Sequence, residues 1–84
     1  MPTISYFYGI KIEMYFIGSE HNPPHIHAYY QSDEACYMIS TGEKMSGNLP
    51  RRAERLVQDF IELHKEQLMR IWDTQVFEKI EPLR

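Results

Sequence analysis

The chain has 84 residues, 43% hydrophobic and 25% charged, with a formal net charge of −3. These values exclude a disordered chain and a protein that coats nucleic acid by bulk charge, and they bound a single domain near the lower size limit for a self-supporting core. Cys36 is the single cysteine, so no intrachain disulfide framework exists and a reducing compartment is expected. No apolar run approaches the roughly 20 residues of a membrane span, and no basic patch followed by an apolar run marks a secretion signal. A cytoplasmic protein without membrane association is the expectation.

The first half of the chain reads as strands. From Ile10 to Ile17 the residues alternate, with Ile10, Ile12, Met14 and Phe16 on one face and Lys11, Glu13, Tyr15 and Ile17 on the other. Gly18 to Pro24 breaks that pattern with turn formers. His25 to Tyr30 alternates again, placing Ile26, Ala28 and Tyr30 opposite His25, His27 and Tyr29. A third strand is expected over Ala35–Ser40, followed by the Thr41-Gly42-Glu43 turn and a short fourth strand near Lys44–Ser46.

The second half reads as helix. Asn48 is the expected N-cap and Pro50 sits near the first helical position. Ala53, Leu56, Val57, Phe60 and His64 form an apolar stripe, and Leu68, Ile71, Trp72 and Val76 continue it. Neither Gly nor Pro interrupts residues 51–81, yet one straight helix of that length would reach about 45 Å. A break near Leu63–Glu66 is therefore expected. The fold class is α+β: a small antiparallel sheet of three to four strands over about residues 4–46, followed by two C-terminal helices over about residues 49–80, packed on one face. The expected core comprises Ile12, Met14, Phe16, Ile26, Leu56, Val57, Phe60 and Trp72, with Cys36 as a buried thiol.

If the helices cover the apolar face, then Lys11, Glu13, Tyr15, His25, His27 and Tyr29 share the opposite one. His21-Asn22-Pro23-Pro24-His25-Ile26-His27 is the sharpest motif. His25 and His27 project to one side of a strand, roughly 6.5 Å apart at the backbone. Neutral imidazoles at that spacing suit a borderline metal such as Zn or Ni, with His21 as a third ligand. The same rings suit general acid–base catalysis, for which His25 and His27 are the candidates. The plainer alternative is a polar strand face and nothing more. Arg51, Arg52 and Arg55 open the helix, where the dipole disfavours cations. Glu54 and Asp59 offset Arg51 and Arg55, whereas Arg52 lacks an acid at i+3 or i+4, which points to nucleic-acid or anion binding or to a tertiary ion pair.

Taken with the starting Met1-Pro2-Thr3-Ile4-Ser5, then Phe7-Tyr8-Gly9-Ile10, Met14-Tyr15-Phe16, Leu49-Pro50-Arg51-Arg52-Ala53, Leu63-His64 and Ile80-Glu81-Pro82-Leu83, the histidine–proline motif resembles the bacterial domain of unknown function family 4160 over nearly the whole chain. The resemblance implies a component of a toxin–antitoxin-like gene pair; the leading class is such a component acting through a protein partner, with nucleic acid as an optional second target. The partner would be a second copy or the neighbouring gene's product. Two other classes compete with it. One is a ribonuclease, metal-dependent or metal-free, centred on the histidines; the other is a small DNA-binding regulator using Arg51, Arg52 and Arg55.

Overall fold

A computed structural model describes residues 3–15 and 23–83. Its element order is β1 (Thr3–Phe7), β2 (Ile10–Glu13), β3 (His25–Tyr30), β4 (Asp33–Met38), β5 (Lys44–Gly47) and α1 (Arg51–Thr74). The strands form one antiparallel sheet in chain order, so every neighbour in sequence is a neighbour in space. The α+β class stands, but two counts need correction.

The sheet has five strands rather than three to four. The additional strand is β1, whose short stretch Thr3–Phe7 lacks a clean period-two pattern. Its pairing with β2 shifts between Thr3 and Ser5, so Ile4 and Ser5 are both buried and the alternation is lost. Tyr8 and Gly9, both at positive φ, then connect it tightly to β2. The expected strand to Ile17 ends at Glu13, and Phe16 and Ile17 lie outside the described residues.

A single helix, Arg51–Thr74, replaces the expected pair. His64 within it has non-helical angles (φ −115°, ψ 22°), so α1 is kinked inside the segment where a break is expected. A straight helix of this size would run about 36 Å, longer than the 31 Å greatest extent of the molecule. The expectation of a helix to residue 80 also fails, because Gln75 adopts a left-handed conformation and its N–H caps the carbonyl of Ile71. The remaining residues run extended along the β1 edge. The Ile80 N–H donates to the Ile4 carbonyl at 2.8 Å, and Glu78 is held by Gln67 and Arg70 at 2.8 and 2.7 Å. Those two donors hold the Glu78 carboxyl below the usual carboxylate range. Pro50, not Asn48, occupies the N-cap without a side-chain cap bond, and Asn48 instead accepts from Lys44 Nζ.

The core lies between α1 and the sheet. Ile12, Met14, Ile26, Val57 and Phe60 are buried as expected, while Leu56 and Trp72 are half-buried against the cluster. Tyr37 anchors the helix over this face by donating to Glu54 at 3.1 Å, and Phe7 stacks on Phe60 at 4.9 Å. Gly47 has φ +74°, and a Cβ there would lie 2.2 Å from the Glu34 carbonyl oxygen. Only glycine lets β5 leave β4 at this point and turn toward α1.

Candidate functional site

Register places the polar row. Glu13 pairs with His27, Lys11 with Tyr29, His27 with Cys36 and His25 with Met38. Since paired residues share a face, these side chains stand on the side of the sheet opposite the buried Ile12, Ile26 and Tyr37. Trp72, near the end of α1, closes one end of the row with its ring 5.2 Å from that of His25.

The proline pair has a specific consequence for His25. Its Nδ1 lies 2.9 Å from the Pro23 carbonyl oxygen, which can only accept, so Nδ1 carries the proton. In the neutral ring the lone pair then belongs to Nε2, available to take a proton or a metal. The next carbonyl, of Pro24, accepts the Ile39 N–H at 3.0 Å and ties the turn to the end of β4. His27 stands beside His25 with ring centroids 5.2 Å apart. Its Nδ1 is 3.2 Å from Cys36 Sγ, and the Tyr15 ring meets it edge-on at 4.4 Å.

Below the histidines lies a buried carboxylate. Glu13 is only 5% exposed. Lys11 Nζ approaches it at 3.4 Å, the Tyr15 hydroxyl donates to it at 2.9 Å and the Thr3 hydroxyl at 3.4 Å. These partners supply the pairing that a buried charge requires. Tyr15 and Tyr29 join through their hydroxyls, and the Lys11 ammonium sits 5.5 Å over the Tyr29 ring. Burial, the hydrogen bonds to Tyr29 and Glu13, and the Glu13 charge push the Tyr15 phenol far above its ordinary value. Burial also raises Tyr29; its bond with Tyr15 opposes the shift, and the Glu34 and Glu13 charges add to it. Both hydroxyls therefore remain protonated well into alkaline solution.

The structure thus brings His25 and His27 together with Tyr15, Tyr29, Lys11 and Glu13. His21 lies outside the described residues, so the expected metal set His21, His25 and His27 is represented by two of its members. Among the described residues no group of three or more His, Cys, Asp or Glu side chains could hold a metal ion. Arg51, Arg52 and Arg55 are exposed on α1, in the other layer. Arg51 and Arg55 border a hollow against the turn at residues 39–43, and Arg52 borders a different hollow beside Tyr8 and Tyr30. The arginines and the histidines do not form one site.

Cys36 corrects the expectation of a buried thiol, being half-exposed beside His27. A signal for it exists in the sequence. Gln31-Ser32 is a two-residue turn, which fixes Tyr30 opposite Asp33 and therefore His27 opposite Cys36. Starting the strand at Ala35 conceals that register.

A five-stranded antiparallel meander, backed by one kinked helix and carrying paired histidines on the sheet face opposite its apolar core, defines the structural class. The chain belongs to the family described as domain of unknown function DUF4160, whose profile matches residues 9–73. The matched segment contains the histidine–proline motif and the arginine-rich start of α1. Comparison with curated proteins and with solved structures gave no match. No helix among the described residues is long and apolar enough to cross a membrane.

Proposed function

We propose that this protein is the acting member of a toxin–antitoxin-like pair, cleaving RNA in the cytoplasm by metal-independent acid–base chemistry at His25 and His27. The observation that carries the reading is the histidine pair itself, with rings 5.2 Å apart and His25 Nδ1 donating to the Pro23 carbonyl, which turns Nε2 to the outside. In this chemistry His25 Nε2 takes the proton of a ribose 2′-hydroxyl while its oxygen forms a bond to phosphorus. The bond from phosphorus to the 5′-oxygen breaks, and protonated His27 gives that oxygen its proton, leaving a 2′,3′-cyclic phosphate. Lys11 supplies a cation on the same face, and Tyr15 and Tyr29 brace the buried Glu13 beneath the histidines through their joined hydroxyls. A protein partner would cover this face, where the half-buried aromatic rings of Tyr15, Tyr29 and Trp72 gather.

The test is purified protein assayed for RNA cleavage with a chelator present, together with its effect on growth when expressed alone and beside the neighbouring gene. Losing one member of an acid–base pair should lower the rate by about 10²–10⁴. His25→Ala and His27→Ala should each do so, with a bell-shaped pH profile in the parent. Undiminished cleavage by the double variant would refute the assignment. A second reading has one observation in its favour: an imidazole whose Nδ1–H is held by a carbonyl is the usual form of a metal ligand. Cleavage that disappears with chelator and returns with Zn or Ni would shift the reading to His21, His25 and His27 as ligands.

A further inference from the structure

At the other end of α1 from Trp72, a hollow of about 570 Å³ opens between the helix start and the β1–β2 turn. Its floor is Ile10, Ala53 and Leu56, its wall the rings of Tyr8 and Tyr30, and its rim Arg52 and Asp59. This volume lies within the usual 300–1,000 Å³ of small-molecule sites. We propose that the hollow seats one nucleotide of single-stranded RNA, with the base against Tyr8 and the phosphate on Arg52. The proposal rests on the reading of the protein as an RNA-acting one and adds a substrate-holding site that the histidine face lacks.

Two observations favour a nucleotide over an apolar peptide side chain. The first concerns Tyr8, which is 57% exposed yet has φ +50°. A left-handed position in a tight turn favours asparagine or glycine, and a bulky ring there is held against the backbone preference. Phe7 meets the ring edge-on at 6.4 Å and orients it. An open aromatic face so placed offers stacking to any base. The second concerns charge. Among the described residues Arg51, Arg52 and Arg55 make no ion pair, although they start a helix together. Arg52, exposed where it borders the hollow, presents a guanidinium fork that suits a phosphate oxygen. Asp59, on the same rim, repels phosphate and sets the polarity, leaving Arg52 as the phosphate end.

The site is separate from the histidines, so binding can be measured without cleavage. The probe is a fluorescein-labelled oligoadenylate titrated with the His25→Ala/His27→Ala protein across a salt series. Adding Tyr8→Asn should weaken binding on the order of tenfold, while thermal stability stays equal or rises because asparagine suits the turn. Tyr8→Phe, which keeps the stacking face, should bind like the parent. Arg52→Ala should weaken binding and reduce the slope of log affinity against log salt by about 0.7, the value for one phosphate contact on a single strand. Unchanged binding in both Tyr8→Asn and Arg52→Ala overturns the proposal, as does a parent protein that binds no oligoadenylate. Binding that depends on Tyr8 and Arg52 when the unsubstituted protein cleaves no RNA would instead sink the catalytic reading alone. Competition by an apolar peptide but not by adenosine monophosphate would assign the hollow to a protein partner and also overturns the proposal.

Discussion

Truncating Phe60 tests the packing that holds the open face in position. Its side chain is fully buried, stacks on Phe7 at 4.9 Å with ring planes 29° apart, and meets the His64 ring at 4.9 Å. It lies one turn before the kink and joins α1 to the β1–β2 hairpin. Phe60→Ala removes buried apolar surface and leaves a cavity that the surrounding β-sheet cannot collapse to fill, a loss of about 3–5 kcal/mol. The aromatic pair accounts for about 0.5–1.5 kcal/mol of that. A domain this small has a total stability of about 4–13 kcal/mol, so the variant should melt at least 12 °C lower, at roughly 4–8 °C per kcal/mol. Leu63→Ala is the matched control. Leu63 is three residues along the same helix but 67% exposed, and its truncation should change stability by less than about 0.5 kcal/mol. Urea unfolding followed by circular dichroism, with equal m-values required for comparison, measures both. A Phe60→Ala loss below about 1 kcal/mol, or an equal loss at Leu63, would refute the packing of α1 on the sheet.

Alkaline pH should destabilise the fold through its tyrosines. Tyr37 is fully buried and hydrogen-bonded to Glu54, which together push its phenol well above the ordinary value, as burial and neighbouring groups do for Tyr15 and Tyr29. The folded state thus keeps protons that the unfolded chain releases near pH 10, so stability holds below that pH and falls above it, by up to about 1.4 kcal/mol per pH unit for Tyr37 and less for the half-exposed pair. Urea midpoints measured above pH 10 should decline more gently in Tyr37→Phe, and parallel declines would count against the shift. Trp72 offers a separate readout of the site: its ring lies 5.2 Å from that of His25. Its emission should change in His25→Ala but not in His64→Ala; an unchanged spectrum in His25→Ala would dissociate the two rings.

Much of the site was legible because strand alternation is local. The period of two places Lys11, Glu13 and Tyr29 on one face with His25 and His27, and no tertiary information is needed to align neighbours on a strand. The apolar stripe Ala53, Val57, Phe60 likewise marks the buried side of α1 from spacing alone. The tertiary structure decided what depends on register and length. Ile4 and Ser5 share a buried side only because the β1–β2 pairing shifts, which the alternation of either strand alone does not reveal. Whether residues 51–74 form one helix or two turns on how the chain bends at His64, and neither proline nor glycine marks that point. The contact of Cys36 with His27 follows from an inter-strand register, and that of Trp72 with His25 from the docking of the end of α1 beside the start of β3. The arginines were equally visible in the sequence, but their separation from the histidines was not: they stand at the start of α1, whereas its far end, at Trp72, is what meets His25, and only packing determines which part of the helix reaches that row.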